Sequence, residues 1–212
     1  MSSPLRAGLI GLGKMGKNHA RVLGQLPGVE LVVIVDPYGN QRNTVGDVPF
    51  VREVEEGLRF ELDCAVVAVP TRFHEEVAIQ CAKAGVATLI EKPLAHSAES
   101  ARRIVRAFER LGVIGAVGHI ERFNPAIQQL KDRLSAGELG EVYQIATRRQ
   151  SSFPGRITDV GVGMDLASHD VDLTLVMSGS RYEELSAIAS SRSGGELDDM
   201  VVANARLENG IL

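Results

Sequence analysis

Short apolar runs recur through the first 118 residues, and each is nearly continuous rather than alternating with polar residues. A strand that is apolar on both faces is typical of a parallel sheet covered by helices on either side. Segments with helical periodicity fill the intervals between the runs. The pattern therefore predicts an α/β fold built on a doubly wound parallel sheet. The predicted strands are Arg6–Ile10, Leu31–Val35, Asp63–Val69, Val86–Ile90 and Val113–Val117, and the predicted helices are Met15–Leu26, Thr71–Ala84 and Ser97–Leu111, with a reduced helix or a loop over 38–58.

The sequence changes character near Ile120, which divides the chain into predicted domains spanning 1–120 and 121–212. The second domain mixes helical and strand patterns and is expected to be α+β. Its last strand pattern is followed by Asn209-Gly210, a dipeptide typical of hairpin turns. Only two residues follow that turn, so we expect this domain to be truncated. Its predicted elements are helices Pro125–Ala136 and Met164–Met177 and strands Glu141–Arg149, Glu184–Ser190 and Met200–Glu208, with a loop over 151–163.

A glycine motif, Gly11-Leu-Gly13-Lys14-Met15-Gly16, joins the first predicted strand to the first predicted helix. In this context the glycines permit a tight turn, approach of backbone to a pyrophosphate and close helix–strand packing, and the helix N-terminus attracts the phosphates. Asp36 ends the next strand, 20 residues after Gly16, where a carboxylate accepts hydrogen bonds from ribose hydroxyls and repels a 2′-phosphate. We therefore expect a Rossmann fold that binds NAD, and NADP stays open because Arg42 is nearby. The alternatives are a plain structural turn and a strand-end aspartate.

Two further strand ends carry polar residues: Pro70, Thr71 and His74 follow one strand, and Glu91 and Lys92 follow the next. Ligands of open α/β sheets bind outside the carboxyl ends of the strands, so we expect these residues to line the cofactor crevice. His74 also fits a helix residue without a ligand, and Glu-Lys-Pro fits a solvated strand end with a turn proline.

Five motifs together are similar to the Gfo/Idh/MocA oxidoreductases, in order and in spacing: GLIGLGKMGKNHA, VDP, AVPTRFHEEVA, LIEKPLA and DLASHDVDL. The resemblance covers essentially the whole chain, although members of that family usually extend further. It implies that Lys92 contacts the nicotinamide ribose and the substrate oxygen, where a lysine can take part in proton transfer. It also leads us to expect a cis bond before Pro93, which proline alone makes inexpensive.

Asp165 and His169 are four residues apart, which places them on one face of a helix, and histidine exchanges protons near neutral pH. The resemblance to inositol dehydrogenases implies a catalytic triad of Lys92, Asp165 and His169. The alternatives are a helix-terminal aspartate and a structural histidine; Asp170 and Asp172 are read as structural or substrate-orienting. We expect no metal site, since hydride transfer to NAD needs none.

The stretch GHIERFNPAIQQLK over 118–131 resembles the branch of the family that contains UDP-N-acetylglucosamine 3-dehydrogenases. This resemblance implies a sugar or nucleotide-sugar substrate, with Arg122 and Asn124 as candidate binding residues. Arg148 and Arg149 end the predicted strand over 141–149 and are weaker candidates for diphosphate contacts. Arg122 also fits a surface ion pair, and Asn124 a helix cap. The rival hypotheses are an inositol or polyol dehydrogenase and an NAD-binding module without activity.

Charge and composition limit the classes of partner that we expect for this chain. The formal net charge is −4 and no basic stripe appears, so we expect no nucleic-acid partner, and no apolar run is long enough to predict a membrane span. Cys64 and Cys81 match neither a zinc spacing nor a disulfide framework, and the absence of a signal-peptide pattern favours a reducing, cytoplasmic setting. We expect a homo-oligomer if the full second domain is present.

Overall fold

The computed structural model describes residues 3–38, 46–150, 160–192 and 197–212. These residues form two compact units that divide between Gly118 and His119, close to the boundary predicted at 120. The strands of the first unit are β1 (Leu5–Ile10), β2 (Val29–Val35), β3 (Phe50–Val51), β4 (Cys64–Val67), β5 (Ala87–Ile90) and β6 (Gly115–Val117), and its helices are α1 (Lys14–Leu23), α2 (Val54–Leu58), α3 (His74–Lys83) and α4 (Ala98–Leu111), with a 3-10 turn over Thr71–Phe73.

The six strands form one parallel sheet in the order β3-β2-β1-β4-β5-β6. This is the strand order of a dinucleotide-binding Rossmann fold, so the predicted fold class is confirmed. The direction of winding reverses between β1 and β4, which creates a crevice beyond the carboxyl ends of these two strands. Part of the segment over 38–58, expected to be a reduced helix or a loop, forms β3 and α2, while 39–45 lies outside the described residues.

Residues that alternate along the strands are buried on opposite faces of the sheet. On one face, Leu9 and Ile34 pack with Ala20 and Leu23 of α1. On the other face, buried strand residues pack against α3 and α4; this cluster contains Ile10, Val35, Val67, Val77, Cys81, Ile90, Ile104 and Phe108. The near-continuous apolar strands are thereby explained, because both faces of the sheet are covered.

Of the helices in the first unit, α4 ends where its sequence predicts, whereas α1 ends at Leu23 rather than Leu26, and α3 begins at His74 rather than Thr71 because a 3-10 turn precedes it. Ser97 caps α4 by accepting a hydrogen bond from the Ser100 backbone N–H at 3.1 Å, and Gly112 ends that helix with a φ of 65°. Arg103 on α4 binds Glu75 on α3 and thereby joins the two helices at their exposed surface.

The second unit contains a 3-10 turn (Ile120–Phe123), α5 (Pro125–Ser135), α6 (Val162–Asp165), α7 (Ala167–Ser178) and an antiparallel pair, β7 (Tyr182–Ser190) and β8 (Met200–Leu207). The backbone turns back after β8 as Asn209-Gly210 predicts: the Leu207 N–H donates to the Ile211 carbonyl at 2.9 Å. Of the loop expected over 151–163, residues 151–159 lie outside the described part of the chain.

The strand predicted over Glu141–Arg149 is wrong. Residues 142–150 form no strand, and two backbone hydrogen bonds join Tyr143 and Ile145 to Leu212. The Ile145 N–H donates to the Leu212 carbonyl at 2.9 Å, and the Leu212 N–H donates to the Tyr143 carbonyl at 3.1 Å. The β-branched and aromatic residues there favour extended backbone, but a strand also needs a partner along its length. Similarly, the helix predicted over Met164–Met177 is interrupted at Leu166, which separates α6 from α7.

Candidate functional site

The glycine turn lies at the point where the sheet reverses its winding. Gly11 follows β1, and its N–H donates to the Val35 carbonyl at 2.8 Å. Its φ of +96° is a conformation that glycine adopts readily, and a Cβ here would lie 2.6 Å from the Ala68 carbonyl oxygen. A Cβ on Gly16 would overlap the Gly11 carbonyl oxygen. A Cβ on Gly13, by contrast, would have no described atom within 4 Å, so this glycine leaves the approach to the turn open.

The first turn of α1 carries an uncompensated positive end. Its N-cap, Gly13, has no side chain to accept a hydrogen bond, and no acidic residue occupies the first turn, which contains Lys14, Met15 and Gly16. The longest helix of this unit, α4, has both a capping side chain, Ser97, and an acidic residue in its first turn, Glu99. Since the free N–H groups and the dipole of a helix N-terminus attract anions, α1 is suited to hold phosphate groups.

Asp36 supports the glycine turn from the end of β2. Its Oδ2 accepts a hydrogen bond from the Leu12 N–H at 2.7 Å, and its Oδ1 accepts one from the Tyr38 N–H at 3.0 Å. Each carboxylate oxygen can accept more than one hydrogen bond, so these two bonds fix the orientation of the side chain and leave acceptor capacity. Asp36 is therefore able to bind hydroxyl groups next to the phosphate site.

The loops after β4 and β5 contain the other predicted cofactor residues. Pro70 is exposed, and Thr71 is buried at the start of the 3-10 turn. His74 is 1% exposed, and its ring nitrogens lie 3.0 Å from the Val69 carbonyl and 2.9 Å from the Pro93 carbonyl. The structure thus gives this histidine contacts to backbone, and direct contact with a cofactor stays a prediction.

Glu91 and Lys92 follow β5 directly. The Glu91 carboxylate is buried and lies 2.6 Å from His19 Nε2 on α1; it also accepts a hydrogen bond from the Lys92 N–H at 3.2 Å. Lys92 is half-buried, and the Lys92–Pro93 bond is cis, as expected. His19 was not predicted as a site residue, although its position three residues after Gly16 was a signal.

The second unit contains a cluster of ion pairs. Arg122 binds the buried Asp172 carboxylate through two nitrogens, with Nε 2.9 Å from Oδ2, and the His119 ring lies 3.7 Å from the same carboxylate. The Asp172 hydrogen bonds raise the pKa of the Arg122 guanidinium. The structure therefore shows Arg122 in an ion pair with Asp172, and a contact of Arg122 with substrate stays a prediction.

The other predicted substrate residues lie around the same 3-10 turn. Arg149 is 3.3 Å from Glu121 and 3.5 Å from Asp170. The hydrogen bond from Asn124, followed by those from Arg149 and the charge of His169, lowers the pKa of Glu121. Asn124 caps α5 by accepting a hydrogen bond from the Ala126 N–H at 3.1 Å, as its alternative reading predicted, and Arg148 is exposed.

Asp165 ends α6 and His169 lies in the first turn of α7, so a break at Leu166 separates the two residues that were expected on one continuous helix. His169 is buried, at 9% exposure. Asp198, which no sequence pattern singled out, binds the start of α6 by accepting a hydrogen bond from the Gly163 N–H at 2.8 Å. Within the described ranges, no group of three or more His, Cys, Asp or Glu side chains is arranged to hold a metal ion, and none of the helices has the length and apolar character of a membrane span.

Known proteins are similar to this chain in sequence and in fold. Residues 5–119 match a family described as an oxidoreductase family with an NAD-binding Rossmann fold, and residues 127–212 match the GFO/IDH/MocA C-terminal domain. An inositol 2-dehydrogenase of Corynebacterium glutamicum is 30% identical over the whole chain, and the UDP-N-acetylglucosamine 3-dehydrogenase of Acidithiobacillus ferrooxidans is 32% identical over 97% of it. The chain spans only 66% and 64% of these two curated relatives.

Two solved structures extend the likeness. The structure of the same Acidithiobacillus ferrooxidans enzyme has a TM-score of 0.84 and 29% identity, covering 99% of this chain and 68% of its own. The WlbA dehydrogenase of Bordetella pertussis, solved with NADH and UDP-GlcNAcA, has a TM-score of 0.86 and 28% identity, covering 100% of this chain and 66% of its own. With both of its units matched by family models, the chain belongs to the Gfo/Idh/MocA family of oxidoreductases.

Proposed function

We propose that the protein is an NAD-dependent oxidoreductase that transfers a hydride between nicotinamide and a secondary alcohol of a sugar or nucleotide-sugar. The observation that carries this proposal is the α1 N-terminus. It has neither a capping side chain nor an acidic residue in its first turn, it is open at Gly13, and Asp36 lies beside it. These features fit a pyrophosphate with an adjoining ribose.

The chain's own residues fit the cofactor as follows. The N–H groups of Gly13, Lys14, Met15 and Gly16 point from the free end of α1 and would bind the pyrophosphate. The remaining lone pairs of Asp36 would accept the ribose hydroxyls, and its charge would disfavour the 2′-phosphate of NADP. Arg42, the arginine near Asp36 that left NADP as an alternative cofactor, lies outside the described residues.

For catalysis we assign Lys92, Asp165 and His169, on the strength of the family resemblance. When bound, NAD supplies the hydride acceptor. Lys92 would hold the alcohol oxygen, and His169 would take the hydroxyl proton as the carbinol carbon loses its hydride. Asp165 would stabilise the protonated His169.

The relatives favour two substrate classes. One is named as acting on UDP-N-acetylglucosamine, and a second was solved with UDP-GlcNAcA, which supports a nucleotide-sugar bound in part by Arg122, Asn124 and Arg149. A polyol such as inositol is the second candidate, and one observation favours it: Asp172 already occupies two nitrogens of Arg122, which weakens the case for a diphosphate contact.

The test is NADH formation by the purified chain with NAD and a panel of UDP-sugars, free sugars and inositols. We expect turnover that Lys92→Met abolishes and Lys83→Met, at an exposed lysine of α3, leaves unchanged. Turnover of UDP-amino sugars that falls in Arg149→Gln would support the nucleotide-sugar; turnover of inositols alone would support the polyol. Retained NADH binding without turnover of any substrate would support the alternative that this chain is an NAD-binding module without activity.

We further propose that the protein assembles as a homo-oligomer in a reducing, cytoplasmic setting. The apolar side chains of the β7–β8 pair support the first part. Ile188 and Val202 are paired across the two strands and are 75% and 60% exposed, and an exposed apolar surface is often covered by a partner. The two free cysteines are consistent with the second part. Light scattering over a concentration series tests assembly, and a single monomeric mass at all concentrations would contradict it.

A further inference from the structure

Lys92 lies between two residues that are each tied to a histidine from elsewhere in the first unit. Glu91, before it, binds His19 of α1. Pro93, after it, has its carbonyl 2.9 Å from the ring of His74, the first residue of α3. The two contacts reach the Glu91-Lys92-Pro93 turn from different helices.

The contact before Lys92 is a largely buried hydrogen bond between a histidine ring and a carboxylate. The side chains of His19 and Glu91 are 16% and 8% exposed, and 2.6 Å separates Nε2 from Oε1. The other carboxylate oxygen accepts the Lys92 backbone N–H at 3.2 Å. The Glu91 carboxylate therefore links the helix that begins at the glycine turn to the backbone of the lysine itself.

The contact after Lys92 joins two loops. The His74 ring is almost fully buried and lies between the carbonyls of Val69, beyond β4, and Pro93, beyond β5. A ring N–H donates to a carbonyl, so either tautomer of the ring makes a hydrogen bond to one of the loops. The other ring nitrogen faces the carbonyl of the second loop, so the ring fills the space between the two loops.

We propose that His19 and His74 are positioning residues that hold Lys92 in register with the helix that binds the cofactor phosphates. The inference rests on the proposed function, in which Lys92 meets both the nicotinamide ribose and the substrate. Neither histidine touches the reacting atoms in this assignment: His19 acts through Glu91, and His74 acts through the Pro93 carbonyl. The physical basis is that a displacement of about 1 Å in a catalytic group can lower a rate by about 100-fold.

The experiment compares His19→Leu and His74→Leu with His19→Gln and His74→Gln, whose amide N–H can still donate to Glu91 or to a carbonyl. His96→Leu is the matched control, because His96 is exposed and contacts Ser100 rather than the turn. Three quantities are measured on the full chain: kcat, the NADH dissociation constant by fluorescence, and the rate at which acetic anhydride labels Lys92 relative to the exposed Lys83, by peptide mass spectrometry.

We expect the leucine variants to change the relative labelling rate of Lys92 at least about threefold and to lower kcat about 10- to 100-fold, with NADH affinity changed far less. The glutamine variants should recover part of both effects, and His96→Leu should match the parent. Folded variants with parental Lys92 labelling would overturn the proposal, as would a loss of stability without any change in Lys92. Because labelling needs no turnover, altered labelling in a chain that turns over no substrate would support the positioning role while the proposed function fails.

Discussion

Two substitutions in the glycine turn, Gly13→Ala and Gly16→Ala, should affect different properties: the first cofactor binding and the second stability. At Gly16 the new methyl would overlap the Gly11 carbonyl oxygen, a backbone atom that cannot rotate away. Overpacking of this kind costs roughly 1–3 kcal/mol, and the better helix propensity of alanine returns up to about 1 kcal/mol. We expect a net loss of about 1–2 kcal/mol, which lowers the melting temperature by about 2–8 °C for a chain of this size.

Gly13→Ala should behave in the opposite way. The residue has a φ of −66° and a ψ of −164°, which alanine adopts without strain, and no described atom would lie within 4 Å of the methyl. Alanine is a poorer N-cap than glycine by about 0.5–1 kcal/mol, but it lowers the entropy of the unfolded chain by a similar amount, about 0.4–1 kcal/mol. Stability should therefore change by less than about 0.5 kcal/mol.

Cofactor affinity should respond to Gly13→Ala because the methyl would stand between the pyrophosphate and the N–H groups of α1. Losing one charge-assisted hydrogen bond costs roughly 1.5–3 kcal/mol, or a loss of NADH affinity of about 10- to 150-fold. Thermal melts by circular dichroism and NADH titrations by fluorescence give both quantities for both variants. A Gly13→Ala protein that binds NADH as tightly as the parent would refute the placement of the phosphates. Equal stability of the two variants would refute the packing role of Gly16.

Three other perturbations test separate parts of the structure. Burial raises the pKa of the Cys81 thiol to about 11, so iodoacetamide at pH 8 should label it only after denaturation; labelling of the native protein at the denatured rate would contradict its burial. Hydrogen bonds from Arg103 lower the pKa of Glu75 from 4.5 to about 2, so the pair stabilises the fold above pH 4.5 and its contribution is lost as the pH falls towards 2. Glu75→Gln should flatten that acid dependence only slightly, because solvent screens a pair near the surface. An unchanged difference between the urea midpoints at pH 3 and pH 6 would argue against this contribution. Arg122→Ala leaves the buried Asp172 carboxylate without its main partner and should cost about 2 kcal/mol, less than the 3–5 kcal/mol of a fully buried pair because Arg122 is 46% exposed. Adding Asp172→Asn should recover part of that loss in urea unfolding, and strictly additive effects would contradict the coupling.

The first unit was largely predictable from its sequence. Continuous apolar strands, a capping serine at Ser97 and a glycine after the helix are local signals, and each specifies backbone geometry within a few residues of itself. The glycine motif belongs to the same class, since the positive φ of Gly11 and the close approach at Gly16 are conditions that few other residues meet. Parallel strands then bring their carboxyl ends to one edge of the sheet, which is why Asp36 and Lys92 could be placed at that edge from the order of the strands.

The sequence by itself therefore determined the Rossmann sheet, the glycine turn and the strand ends that carry Asp36 and Lys92, because local backbone preferences and strand order suffice to specify them. Only the tertiary structure decided which side chains pair across distant parts of the chain. No local sequence pattern predicts the contact of His19 with Glu91, 72 residues away, or the ion pair of Arg122 with Asp172, 50 residues away. The same reason explains the failure over 141–149: extended backbone is a local preference, but a strand exists only where the fold supplies a neighbour to pair with it.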